Sequence, residues 1–374
     1  MKKKITLTTT FIIISSLIIL LTYKKDNNVT FSDTSKNNNN ILSIMLETSS
    51  GSGDYQESLS NSFPRNGYIF NENLSNCENG SKISWNEENK SVSVKSNKAD
   101  KCHLYFDIYE PTLAETIINL YTGTQGENSI YYHDSNLTNG ANDNSYRYAG
   151  ANPNNYVCFG SDESTCPTDN LYRIIGVFEE NNHGVSGKKL VKIIKNDSYG
   201  TYEWHKKSGN DWSIADLNKT LNSTFLTAQL SGYEDKIQSV AWKISGLGNE
   251  SGVAKGIYTV EVANATKTYE AKVGLMYLSD YAYVSSPSYW ETSVFKYTAE
   301  VVATNWLYLD NKTQWVLTRA STDNYDVFSI TNDGYVNGDN NAFSLYEVKP
   351  TFYLTSDILY AGGTGTLTDP YRTR

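Results

Sequence analysis

The sequence predicts an α+β chain dominated by strands: a leading apolar helix, a small all-β module, then a larger β-rich domain carrying one or two helices. Three observations point there. Short runs of alternating apolar and polar residues recur along most of the 374 residues; strand-favouring aromatics are abundant, with 29 Tyr and 7 Trp against 3 Met; and one long apolar run stands at the start. The formal charge of -9 supplies no basic field for phosphate, so nucleic acid is not expected as a partner.

Lys2 to Lys4 precede an apolar run from Ile5 to about Thr22, followed by Lys24 and Lys25. As a helix this run would measure roughly 27 Å, close to the thickness of a bilayer core. Residues 1–25 are therefore expected to be a transmembrane signal anchor, with a cleaved signal peptide as the rival reading. No small-x-small site follows the run and no lipobox cysteine is present. The expected location is a single-pass cell-membrane protein with its body outside. The four cysteines agree with an oxidising compartment: three pairings are open to Cys77, Cys102, Cys158 and Cys166, and nearest-neighbour pairing is the expected one.

Residues 26–40 are polar, aperiodic and end in four asparagines, which reads as a linker. From 41 to 110, ILSIML, GYIFNE, KISW, SVSV and CHLYFDIY alternate between Asn, Gly and Ser clusters, predicting a small β-sandwich-like module that needs a disulfide staple. Pro111 ends that pattern, TLAETIINL predicts a short helix, and 121–156 is expected to be loop-rich. LYRIIGVF and KLVKIIK predict an antiparallel pair. Ile214, Leu217, Leu221, Phe225 and Ala228 recur at helical spacing, predicting an amphipathic helix from Ile214 to about Leu230. A second short helix is expected near Ser279. QWVLTRA, the segment around Val327 to Thr331, a hairpin at Asn332-Asp333-Gly334, and a last strand in KPTFYL complete the 111–374 domain, and the tail reads as turns.

Residues of about 115 to 374 resemble a C-type-lectin-like domain of the sulfatase-modifying-factor-like kind. The resemblance is carried by YRIIGVF with KLVKIIK, by WSIADLNKTLNSTFL, by VGLMYLSDYAYV, and by the run from WVLTRAS through FSITNDGYVNG to VKPTFYL. The front part, GYIFNENLSNCENG through KCHLYFD, is similar to a small β module that precedes such domains in Gram-positive surface proteins. The resemblance implies a fold but neither known chemistry. The Glu-Pro-Asn, Gln-Pro-Asp and Trp-Asn-Asp motifs of calcium-dependent sugar binding are absent, Glu347-Val-Lys-Pro350 is no equivalent, and no cysteine follows Cys166.

No catalytic constellation is legible: there is no G-x-S-x-G elbow, no HExxH and no CxxC, so no catalytic residue, metal or cofactor is expected. His103, His133, His183 and His205 stand in polar contexts and read as surface residues. The oxygen-rich loops Asp134 to Asn144 and Asp333 to Asn341 lack EF-hand spacing and read as solvated turns rather than calcium sites, and Gly362 to Gly365 reads as a turn. What remains is a binding surface. Tyr283, Tyr289, Trp290, Trp306, Trp315 and Arg319 lie in the half of the domain where the resemblance implies ligand display, and Asp333, Asn337 and Asp339 sit in the neighbouring oxygen-rich turn. Core packing is the favoured reading for Trp242, Trp306 and Trp315, and stands level with surface display for Trp290. The expected function is non-enzymatic binding or adhesion to a protein or glycan at the cell surface. A structural envelope component and an unrecognised enzyme are the alternatives.

Overall fold

The computed structural model describes residues 28–31 and 40–374, apart from 61, 65–66, 96–98, 208 and 249–251. The chain divides into two compact units, Met1–Glu110 and Pro111–Arg374. The fold class requires a correction. Among the described residues no helix is long and apolar enough to cross a membrane. The longest helical run, 216–229, falls short of the roughly 20 residues that a span needs. The helix expected over 1–25 lies outside the described residues, and those that are described form a β-rich α+β chain with short helices.

The first unit contains β1 (Asn28–Phe31), β2 (Asn40–Glu47), β3 (Tyr55–Glu57), β4 (Tyr68–Cys77), β5 (Lys82–Asn86), β6 (Ser91–Lys95) and β7 (Asp100–Ile108). They form a four-stranded sheet in the order β3-β2-β7-β4 and a three-stranded sheet in the order β1-β6-β5. Alternate residues of β7, namely Cys102, Leu104 and Phe106, turn inward to meet Val92 and Val94 of β6, with Ile44 and Phe63 completing the core. Trp85 packs its ring against Phe63, Phe70 and Phe106. Cys77 and Cys102 face each other across β4 and β7 and are disulfide-bonded. Closing this 25-residue separation stabilises so small a core by about 3 kcal/mol in the chain-entropy model. The linker expected over 26–40 is corrected at 28–31, which pairs with β6 as an added edge strand. Main-chain hydrogen bonds hold such a strand without requiring side-chain periodicity.

The second unit opens on the helix Leu113–Asn119, whose N-cap Thr112 and Glu115 form a capping box, with Leu113 and Ile117 buried. Its main sheet follows the order β14 (Ile237–Gln238), β22 (Thr351–Leu354), β12 (Leu190–Lys195), β11 (Leu171–Phe178), β10 (Tyr156–Cys158) and β23 (Tyr371–Arg372). β8 (Ile130–Tyr132) and β9 (Tyr146–Tyr148) attach to β11 on one side, and β17 (Val273–Gly274) attaches to β22. Every residue of β11 and β12 is buried, so this antiparallel pair is covered on both faces. A second sheet has the order β13 (Thr201–Glu203), β21 (Leu345–Glu347), β18 (Gln314–Arg319), β19 (Asp326–Ile330) and β20 (Val336–Asn341), and β15 (Val240–Lys243) pairs with β16 (Thr268–Ala271). Cys158 and Cys166 form the second disulfide.

Two expectations change in detail. The helix over Ile214 to Leu230 begins only at Asp216, and Ile214 sits in a preceding 3-10 turn, 55% exposed. A π turn at Leu221–Phe225 interrupts it and carries Asn222 to the β17 backbone, where its side chain donates to Val273 O and accepts from the N–H groups of Lys272 and Val273. The tail is not turns alone: β23 runs parallel to β10, a pairing two residues long and too short to leave a sequence pattern. The hairpin at Asn332-Asp333-Gly334 forms between β19 and β20, with Gly334 at φ +82.

Gly176 sits at the bulge in β11, where β9 crosses closely. A Cβ there would lie 2.3 Å from Tyr146 O and 3.1 Å from Arg147 Cα. Gly176→Ala is expected to destabilise the second unit by about 1 to 3 kcal/mol, read by chemical denaturation of the full chain. Stability equal to that of the parent would contradict the close approach.

Candidate functional site

The loop from Tyr121 to Asn144 forms one wall of a cleft in the second unit, and left-handed backbone is what shapes it. Asn128, Ser129, Asn139, Asn142 and Asn144 all have positive φ, a conformation that asparagine tolerates better than most residues. The loop folds back on His133, whose carbonyl accepts the N–H groups of Asp143 and Asn144 while its own N–H donates to Ser145 O. Asp134 caps the next turn by accepting from the N–H groups of Asn136 and Leu137. Gln125 clamps the Tyr132 backbone through both its amide groups, and the Tyr283 hydroxyl donates to Asn139 O.

Between this loop and the turn at Pro287–Tyr289 lies a cleft of about 700 Å³, lined by Tyr121, Tyr131, Asp134, Thr138, Asn139 and Trp290 among others. Tyr121 belongs to a ring cluster with Tyr132 and Tyr146, and Tyr131 meets Trp290 edge to face at 5.5 Å. Among the described residues, the side-chain polar groups of Tyr121, Tyr131, Thr138 and Asn139 have no hydrogen-bond partner in the protein. Asp134 is the one carboxylate in the lining. The cleft thus offers rings and uncharged hydrogen-bonding groups.

A buried charge network lies behind the loop. Arg147 donates to Asp143 at 2.6 Å and stands over the rings of Phe178, Tyr258 and Tyr283. Ser145 and Asn182 supply further donors to the Asp143 carboxylate. Burial alone would raise the Asp143 carboxyl, but Arg147 and these donors hold it well below the usual carboxylate range. A second cleft of about 600 Å³ has Asp143 and Tyr258 in its lining together with Glu180, Lys243 and Lys255. In this cleft Asp143 is already saturated with donors, while Glu180 accepts the Gly187 N–H.

Histidine is where the surface expectation fails most clearly. His133 and His183 are fully buried and His205 is nearly so. The His133 ring packs against Tyr283 and Trp290, and its Nδ1 accepts from the Ala141 N–H, which places the proton of the neutral ring on Nε2. Burial, reinforced by Arg147, pushes its pKa well below the ordinary histidine value. His183 Nδ1 accepts from Val185 N–H. His205 Nδ1 lies 2.7 Å from Asp216 Oδ2. All three hold loops in place.

The aromatic surface expected from sequence is corrected as well. Tyr283, Trp290, Trp306 and Trp315 are buried. Trp306 and Tyr156 sandwich the Arg173 guanidinium, each ring 4.4 Å away. Trp315 donates to Tyr202 O, and Arg319 donates to the carbonyls of Ile244, Ser245 and Ala320. Tyr289 is half-buried and donates to Glu300. Asp333 and Asp339 are exposed and Asn337 half-buried on the β19–β20 hairpin, where Asn337 pairs with Ser329 of β19. Of the nine expected residues, only Trp290 reaches the cleft. Tyr121, Tyr131 and Asn139 were missed because 121–156 carries no periodicity; its density of Tyr and Asn was the available signal. Among the described residues, no group of three or more His, Cys, Asp or Glu could hold a metal ion. Comparison of the chain with family models, curated proteins and solved structures yields no match.

One buried cation stands apart. Lys349 is buried with no ion-pair partner among the described residues, and burial together with the neighbouring Arg173 pulls its pKa down to about 7. The folded value lies below the ordinary 10.5, so the penalty is complete below pH 7 and fades as pH rises towards 10.5. Lys349→Met is expected to stabilise the protein by about 1 to 3 kcal/mol at pH 6, with the gain shrinking above neutrality. Denaturation at graded pH measures it, and a gain that grows with pH would contradict the assignment.

Proposed function

We propose that the protein is an exported, non-enzymatic binding protein whose larger unit takes a neutral glycan in the tyrosine-rimmed cleft. The observation that carries this reading is the pairing of Tyr121 and Tyr131 with the open hydrogen-bonding groups of Thr138 and Asn139 in a space of about 700 Å³. Sugars present apolar C–H faces to rings and hydroxyls to amides, and a lining of this kind meets both. Asp134 spends its carboxylate on its own turn, so the cleft lacks the second carboxyl of a glycosidase. Two disulfides and no free cysteine among the described residues support an oxidising compartment outside the cytosol. The net charge of -9 argues against polyanionic ligands.

Full-length oxidised protein on an array of neutral and acidic glycans tests the reading. Binding to neutral glycans is expected, with little dependence on salt. Tyr121→Ala and Thr138→Ala should each weaken it by about tenfold, or roughly 1.4 kcal/mol, and Thr138→Ala, at an exposed position with ordinary backbone, should leave the melting temperature near that of the parent. A blank array, or binding that ignores both substitutions, would count against the cleft.

A further inference from the structure

Lys192 lies at the centre of β12 and Asp280 on the buried helix Leu278–Tyr283, and they meet with Nζ 2.5 Å from Asp280 Oδ2. Both side chains are essentially inaccessible, and neither lines the clefts described above. The amine is enclosed by the rings of Tyr277, Tyr353, Trp242 and Phe178, at 4.2 to 5.6 Å. An ammonium carries three donors, yet this one meets a single acceptor oxygen among the described residues. The Asp280 oxygen also accepts the N–H of Tyr277, which fixes the carboxyl against the amine. A third buried carboxyl, Glu261, accepts the N–H groups of Leu278 and Ser279 and the hydroxyl of Thr318, and so anchors the turn that carries Asp280.

We propose that Lys192 and Asp280 condense into an internal amide, a covalent cross-link between β12 and the buried helix. In the dry enclosure the ammonium proton passes to the carboxylate, leaving a neutral amine and a carboxylic acid. The amine lone pair attacks Asp280 Cγ, the N–C bond forms, one C–O bond breaks, and the departing hydroxyl leaves as water with a proton from the nitrogen. Atoms and charge balance without any oxidant or co-reactant: a cation and an anion become a neutral amide and one water. Fixed contact supplies the effective concentration that such a reaction needs. Enclosure also excludes the bulk water that would reverse it. Burial lowers the pKa of Lys192 and raises that of Glu261, which agrees with a site that disfavours charge. The product removes the desolvation cost of holding two ions in an aromatic interior. Arg147–Asp143 is also buried, but its guanidinium is no nucleophile at any accessible pH, so that pair stays ionic.

Peptide mapping of the folded, full-length chain by mass spectrometry tests the proposal. Proteolysis in denaturant should release a branched species joining the peptides of Lys192 and Asp280, lighter than their sum by one water. Lys192 should also resist acetylation after unfolding, and Lys192→Met and Asp280→Ala should each abolish the branched species. Because the decisive measurement is made on the parent protein, poor folding of either variant does not obscure it. Two linear peptides with Lys192 fully acetylated, from protein whose disulfides are intact, would overturn the proposal. So would a branched species that persists in Lys192→Met.

Discussion

The larger unit is organised around the problem of holding cations inside an aromatic interior. Arg147 on β9, Arg173 on β11 and, before it condenses with Asp280, Lys192 on β12 project into the core. Each is met by rings: Phe178, Tyr258 and Tyr283 around Arg147, Tyr156 and Trp306 around Arg173, and four rings around Lys192. A buried charge is tolerated only where partners replace water, and the ring quadrupole supplies part of that replacement. Five of the 29 tyrosines, Tyr156, Tyr258, Tyr277, Tyr283 and Tyr353, serve this role. It also explains why Asp143, Asp280 and Asn155 reach the interior from loops and helix starts to meet these cations.

The same constraint positions the cleft. Asp143 must reach Arg147, and the preceding loop must turn sharply to deliver it. Asparagines in left-handed conformations make those turns, and His133 and Tyr283 fasten the loop from beneath. The cleft wall is therefore an outgrowth of the buried ion pair, and its rim inherits rigidity from the core.

Most of the strands were legible because alternation and short apolar runs report burial directly. LYRIIGVF and KLVKIIK pair as their composition implies, and TLAETIINL forms a short helix after Pro111. The direction of the charges was not legible. Arg173 and Lys192 interrupt apolar runs in a way that normally marks an outward face, and nothing local reveals the rings that receive them. The histidines failed for the same reason: polar neighbours in sequence conceal His133, whose surroundings come from Tyr283 and Trp290, about 150 residues further along the chain. Trp306, whose ring anchors the distant Arg173, looks in sequence like one that awaits a ligand. Helix boundaries moved where a side chain bonded across the fold, as Asn222 does at the π turn.

The parallel pairing of β23 with β10 has a bearing on the order of events during synthesis. Tyr371 and Arg372 finish a sheet begun more than 200 residues earlier, and the Arg372 guanidinium holds the carbonyls of Glu163 and Ser164 within the Cys158–Cys166 loop. A nascent polypeptide emerging from the ribosome lacks this seam until Tyr371 and Arg372 have been added. The large unit thus stays open along one margin until both segments have been made, so its main sheet closes late in synthesis.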